Sequence, residues 1–392
     1  MAHILINAVS AKSGGAATYV LNLVRQLADK ELPHRFVIYV PEALAKELSE
    51  VGDRLSVVGT MIGSVSWWRR LLWDQVTLRR ILKRERIDIL VSSSDFGVLI
   101  PPCRQLLLIR NCLFFSRLYA DHVLPRHSWM TRFVFRLKRT MILASARYSH
   151  RIMVASRAML EDVQQFAALP PGRVVVNGFG VPLARFAASE AKPQFAFDDM
   201  NRTPFRLLYV SEYGDYKNFT TLFRAMRHLA LNGKKDILLV TTADPWQNPS
   251  VASAWRNEDQ ILSRDPLVVP LVKHVGYVPY ADVPRLYQES DALVFPSLAE
   301  SFGHPLVEAM ASGCPVIASD TLVNREVCGD AALYFGALNP TDLAGRILLL
   351  REDSDLRKQL STAGRKRAEQ HFDWEEHVGR LLQNIEEVAV DA

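Results

Sequence analysis

The 392-residue sequence is 49% hydrophobic with a formal net charge of +5, enough apolar content to fill the cores of two or more domains. It holds no run of about eighteen apolar residues, which excludes an obvious membrane-spanning helix. Its opening Met1-Ala-His-Ile-Leu-Ile-Asn lacks a basic leader and reads as a strand rather than a secretory signal, and Cys103, Cys112, Cys314 and Cys328 lack metal-ligand spacing, as in reduced cytosolic proteins.

In chain order, the first strand is followed by Ser13-Gly-Gly-Ala-Ala-Thr18, which reads as a loop, and by Tyr19 to Leu27 with helical spacing. Gly14 and Gly15 stand where backbone N–H groups can approach a phosphate or sugar, although turns of every kind use such a pair. The flanking Lys12 and Ser13 are placed to contact donor or acceptor. Further strands are predicted over 36–40, 87–91, 106–110 and 152–154. Strands alternating with helices imply a parallel sheet covered on both faces. Arg110 and Asn111 end one of these strands; both can hydrogen-bond a ligand, and neither is a base at neutral pH.

Two stretches combine bulky apolar and basic residues: Trp67-Trp-Arg-Arg-Leu-Leu-Trp73, continuing to Arg86, and Trp129 to Arg139. They suit an anionic bilayer surface, or equally amphipathic core helices with solvated arginines. Nucleic acid is disfavoured, since no recognised binding motif accompanies the charge. Residues 183–203 lose any period and read as an interdomain linker. Residues 1–182 hold 25 Lys+Arg against 13 Asp+Glu, whereas 183–392 hold 22 against 29, so the first half is the one suited to an anionic partner.

A second alternating series begins near residue 205. Leu207 to Thr220 reads as a strand, an irregular loop through Ser211, Lys217 and Asn218, then a helix capped by Thr220. Lys217 thus lies beyond the carboxyl end of a strand, where ligands of open α/β sheets bind, and can offer a point charge to a diphosphate. The bland alternative is an ordinary solvated lysine. Asp291-Ala-Leu-Val-Phe-Pro-Ser297 is the next strong strand, leading into Glu300-Ser-Phe-Gly-His-Pro-Leu-Val-Glu308. Pro305 favours a helix starting near His304, and Gly303 lets a ligand approach the backbone. N–H groups at Phe302, Gly303 and His304, aided by the helix dipole, form an anion cradle beside Pro305 and Leu306. Glu308 lies about one turn inside, where a carboxylate suits the hydroxyls of a ribose or sugar.

These residues match the E-x7-E signature of retaining glycosyltransferases of the GT-B fold. The wider segment, with Gly276-Tyr-Val278, Leu286-Tyr287, Asp291 to Ser297 and Gly313-Cys-Pro-Val-Ile-Ala-Ser-Asp320, resembles glycosyltransferase family 4 (group 1). The resemblance implies an α/β fold of two Rossmann-like domains facing each other across a cleft, with Val174-Val-Val-Asn177-Gly178 as the last strand and turn of the first. It divides the chain into 1–182 for the acceptor, linker 183–203, 204–374 for the nucleotide sugar, and a final helix, 375–392, crossing back to the first domain.

The resemblance also implies a retaining, metal-independent transfer of a sugar from a nucleotide-diphosphate donor to a hydroxyl acceptor, glycan or lipid-linked, with no cofactor. Glu300 would sit near the donor sugar, Glu308 at the ribose, and Lys217 at the diphosphate. Tyr277 and Val278 would flank the nucleobase, and Gly14-Gly15 would be the family's glycine-rich loop. Ser156 would border the cleft. Where the family usually carries a phosphate-binding arginine this chain has Glu212, leaving Arg206 or a first-domain arginine as substitutes. The family's loop histidine is replaced near Arg110 and Asn111. Such enzymes build cell-surface polysaccharide or glycolipid, which would make this one cytoplasmic and peripheral to the inner face of the plasma membrane. A nucleotide-sugar epimerase, or a catalytically silent scaffold on the same fold, are the alternatives.

Overall fold

The computed structural model describes residues 1–12, 14–48, 52–187, 204–246 and 254–390. Most of the expected linker, 188–203, and Ser13 lie outside the described residues. The chain divides into two compact units, each built on one parallel sheet.

The first unit comprises Met1–Phe115, Met130–Gly178 and Glu375–Ala392. Its seven strands are β1 (His3–Asn7), β2 (Arg35–Pro41), β3 (Leu55–Thr60), β4 (Ile89–Ser92), β5 (Arg104–Ile109), β6 (Arg151–Val154) and β7 (Val174–Val176). They run in the order β3-β2-β1-β4-β5-β6-β7, with β3 an addition to the strands expected from sequence. Every residue of β4 is buried, the pattern of a strand covered by helices on both faces. The first helix, Gly14–Ala28, begins at the glycine pair rather than after it. Gly14 at φ 58° occupies the left-handed region, which glycine enters without strain. From the last helix, His377 Nε2 meets the Tyr19 hydroxyl at 3.1 Å and its Nδ1 meets the Gly178 carbonyl at 2.9 Å, so the C-terminal segment is built into this unit.

The second unit comprises Phe179–Trp374 together with Ser116–Trp129. A first domain running unbroken over 1–182 is therefore replaced by a discontinuous one. No pattern in residues 116–129 announced this, because the contacts they make, described below, are with residues such as Asp215 and Trp255, far along the chain. The sheet contains β8 (Phe205–Tyr209), β9 (Ile237–Thr241), β10 (Val272–His274), β11 (Ala292–Phe295), β12 (Val316–Ser319) and β13 (Ala332–Phe335). Their order is β10-β9-β8-β11-β12-β13, all parallel, with Leu207 opposite Ala292 and Leu208 opposite Leu293. The order reverses between β8 and β11, and the crevice beyond the carboxyl ends of such a pair is where open α/β sheets take their ligands.

Candidate nucleotide-sugar site

The reversal brings together the loops after β8 and β11. Lys217 Nζ and Glu300 Oε1 are 2.6 Å apart, with side chains only 13% and 14% exposed. The ammonium also lies 4.7 Å from the centroid of the Tyr216 ring. Burial pulls the Lys217 pKa down, but Glu300, with the Tyr216 and Tyr209 hydroxyls, outweighs it and holds the amine above its ordinary range. Lys217 is thus a fixed cation, not the solvated lysine of the bland reading.

The turn that carries it is tied down from several sides. The Tyr209 hydroxyl donates to the Lys217 carbonyl at 2.8 Å, and Leu298 N–H donates to the Tyr216 carbonyl at 2.7 Å. Asn218 adopts the left-handed conformation at φ 56° and precedes the Phe219–Leu231 helix, displacing Thr220 as the helix start. Fully buried, it sends Nδ2 to the carbonyls of Pro296 (3.1 Å) and Ala337 (2.7 Å). Asn218 therefore joins three strand-end loops rather than offering its amide to a ligand. Thr220 instead donates to Asp259, which also accepts from the Tyr213 hydroxyl. Ser211 is fixed to the end of β9, its N–H donating to Thr242 Oγ1 at 2.9 Å, and its own hydroxyl donates to the Glu212 carbonyl.

The helix His304–Ala311 follows β11, with Pro305 in its first turn. Gly303 sits at φ 86°, in the left-handed region that strains any other side chain, so the backbone requires glycine; a Cβ there would also press on the end of the Leu306 side chain, 2.9 Å from Cδ1. Leu306 N–H is engaged by the Gly303 carbonyl at 3.0 Å, and Pro305 has no N–H, which confines the cradle to residues before them. Phe302 is 2% exposed and its ring packs edge-on to Phe179, His304 and Phe372, so only its backbone is available to a ligand.

Glu308 is 5% exposed and accepts from the hydroxyls of Tyr287 (2.9 Å) and Tyr280 (3.2 Å). Burial pushes its pKa up to about 7, against the two phenols and the Arg185 charge, which lower it. Arg185 also lies 5.1 Å from the Tyr280 ring centroid. Tyr280 and Tyr287 were not singled out by sequence, although Tyr287 stands inside the matching segment. Tyr277 is 87% exposed and so is not a core tyrosine, while Val278 beside it is half-buried.

Other expectations change. Arg206 is the second residue of β8, at the end opposite the ligand loops, and reaches toward the Glu289 carbonyl; it cannot substitute at the diphosphate. Ser156 is 1% exposed and caps the Arg157–Gln164 helix by accepting from Met159 N–H. In the first unit, Lys12, Gly14 and Gly15 are exposed, the two glycines in the first turn of the Gly14–Ala28 helix rather than in a loop. Arg110 stacks 4.4 Å from the Tyr19 ring centroid, and its N–H and that of Asn111 both donate to Asp95 Oδ1. The Asn111 side chain caps a short turn by accepting from Leu113 N–H. Both residues thus serve local structure as they stand. Among the described residues, no group of three or more His, Cys, Asp or Glu side chains is placed to hold a metal ion.

Residues 13–185 match the family model of Glycosyltransferase Family 4, and residues 192–367 match that of Glycosyl transferases group 1. Among curated proteins, O-antigen chain mannosyltransferase B of Escherichia coli is 36% identical over 104 residues, which span 26% of this chain and 27% of that one. Among solved structures, sucrose-phosphate synthase of Thermosynechococcus elongatus superposes over 100% of both chains with a TM-score of 0.79 at 17% identity. HepE of Anabaena, solved with UDP-glucose, superposes over 99% of this chain and 100% of its own at a TM-score of 0.74 and 16% identity. At such identity these two show the fold alone, two Rossmann-like units of the GT-B type.

Proposed function

Because the chain belongs to the family 4, group 1 glycosyltransferases, we propose that it moves a sugar from a nucleoside diphosphate to a hydroxyl group of a cell-surface polysaccharide or glycolipid. The observation that carries this reading is the Lys217–Glu300 pair, 2.6 Å apart at the carboxyl ends of β8 and β11 and beside the start of the His304–Ala311 helix. In the proposed reaction the bond between the sugar's anomeric carbon and the phosphate oxygen breaks, its electron pair leaving with the diphosphate. Lys217 and the backbone N–H groups near Gly303 compensate the charge that develops there, a contribution commonly among the largest in such chemistry. Glu300 holds hydroxyls of the donor sugar, and Glu308, aimed by Tyr280 and Tyr287, holds those of the ribose. The exposed Tyr277 ring lies against the nucleobase. The acceptor oxygen bonds to the anomeric carbon on the face the diphosphate leaves, giving retention, and its proton passes to the departing phosphate. The protein cation takes the place of a metal.

A donor panel tests the reading. UDP-glucose and GDP-mannose are offered with a chelator present, and binding is followed by calorimetry and transfer by release of UDP or GDP. Binding of one donor and its turnover in the chelator is expected. Binding with no turnover, given extracted surface glycan as acceptor, would leave only a scaffold. Turnover that needs added divalent metal would remove the metal-independent step.

No described helix is long and apolar enough to cross a membrane. A lipid-linked acceptor would instead require the enzyme to visit a surface. In the first unit, Trp68, Leu72, Met130, Phe133 and Leu137 are exposed among the likewise exposed Arg69, Arg132 and Arg136. Lys138 lies 5.2 Å from the Trp67 ring, so the two helices bearing them are neighbours. Apolar rings set among arginines are what an anionic bilayer surface takes up. Co-sedimentation with phosphatidylglycerol vesicles, weakened by about 0.5 M salt and absent with phosphatidylcholine, is the expected result. Equal behaviour toward both lipids would count against a surface role.

A further inference from the structure

The segment Ser116–Trp129 lies in the sequence between elements of the first unit, yet it clusters with the second. What it delivers there is His127. Its Nε2 lies 2.8 Å from Asp215 Oδ2, and the two side chains are only 10% and 6% exposed. The other oxygen of Asp215 accepts from Ala254 N–H at 2.7 Å. Asp215 opens the short turn Asp215–Lys217, whose internal bond runs from Lys217 N–H to the Gly214 carbonyl at 3.0 Å. One carboxylate, gripped on each oxygen, therefore sets the backbone that aims Lys217. Arg126, next to His127, stacks 5.2 Å from the Trp255 ring, which seats the segment on the same side of the turn as Ala254.

We infer that His127 is a positioning residue for diphosphate recognition, holding Asp215 so that the Lys217 ammonium faces the donor's phosphates. The inference rests on the donor-site reading above. A hydrogen bond between a buried carboxylate and a ring N–H is strong enough to matter, and without it one of the two grips on Asp215 is gone. Its loss should be felt by the diphosphate and not by the rest of the nucleotide. Lys217 is the group displaced, whereas Glu308 lies within the His304–Ala311 helix and Tyr277 on another loop.

The test measures binding of GDP against GMP and of UDP against UMP by calorimetry in the full chain. For His127→Ala the diphosphate of the recognised base should bind about tenfold more weakly, with the monophosphate unchanged. His127→Gln, which keeps an N–H near the same place, should recover most of the loss. Thermal melting identifies any variant that fails to fold, and Asp215→Asn, which keeps an acceptor for Ala254, then supplies an independent route to the same loss. Wild-type diphosphate binding by His127→Ala, or equal weakening of mono- and diphosphate, would overturn the inference. Lys217→Ala is the control for the reading beneath it. If that variant kept full preference for the diphosphate, the donor site would be misassigned whatever His127 did.

Discussion

Lys217→Met should lower the turnover number by a factor of about 10²–10³, the usual cost of removing one charge-stabilising donor from a transfer site. Methionine keeps most of the side-chain volume against Tyr216 and Phe295 while deleting the charge. The loss must be separated from damage to the fold, because the substitution leaves Glu300 almost buried and without its cation. Breaking a buried pair by removing one member costs about 3–5 kcal/mol, and this pair, at 13% and 14% exposure, lies toward the buried limit. A melting temperature several degrees lower is therefore expected of the single variant. Lys217→Met/Glu300→Gln, which removes both charges, should melt close to the parent and remain inactive. A single variant that melts low but turns over normally would show that the pair is structural and that another group meets the diphosphate.

Glu308→Gln should have opposite effects on stability and function. Burial raises the Glu308 pKa from the ordinary 4.5 to about 7. A carboxyl whose folded pKa is raised contributes fully below its unfolded pKa, and the contribution is lost as pH climbs through the folded value. The window is therefore pH 4.5 to 7, and above it the ionised group destabilises the fold by roughly 3 kcal/mol. Glutamine cannot ionise, so the variant should melt higher than the parent at pH 8 and no differently at pH 4.5. It should also bind the nucleotide sugar more weakly, since an amide replaces the acceptor offered to the ribose. Melting curves at the two pH values, with calorimetry at pH 8, check both halves. A variant less stable than the parent at pH 8 would mean that the Tyr280 and Tyr287 bonds outweigh the burial of charge. Unchanged donor affinity would move the ribose elsewhere.

Much of the site was legible because it is local. The stretch from Ala292 through Glu308 encodes a buried strand, a glycine in the left-handed region and a proline in the first helical turn, and each of these is decided by residues within a few positions. The same is true of the alternating strands and helices, whose periods alone imply two parallel sheets. Thr220 misled because a helix can also begin at a residue whose side chain is used elsewhere, as Asn218 does. The Gly14–Gly15 loop misled because glycines at a strand's end can open a helix as readily as precede one. Arg206 misled because charge alone does not say at which end of a strand a residue lies.

What the amino-acid sequence determined by itself is the set of short-range choices: which segments are strands, where glycine and proline are obligatory, and which carboxylates and lysine stand on strand-end loops. Only the tertiary structure decided which of these meet. Lys217 and Glu300 are 83 positions apart and touch because β8 and β11 are neighbours at the point where strand order reverses. Glu308 became a carboxyl of raised pKa because packing removed it from water, an effect that the hydrogen bonds from Tyr280 and Tyr287 only partly offset. His127 reached Asp215 across 88 positions through a segment that leaves one unit to pack in the other. Propensity and periodicity act over a turn or a strand, whereas burial, ion pairing and long-range hydrogen bonds depend on which surfaces exclude water together, and that is settled only when the whole chain has packed.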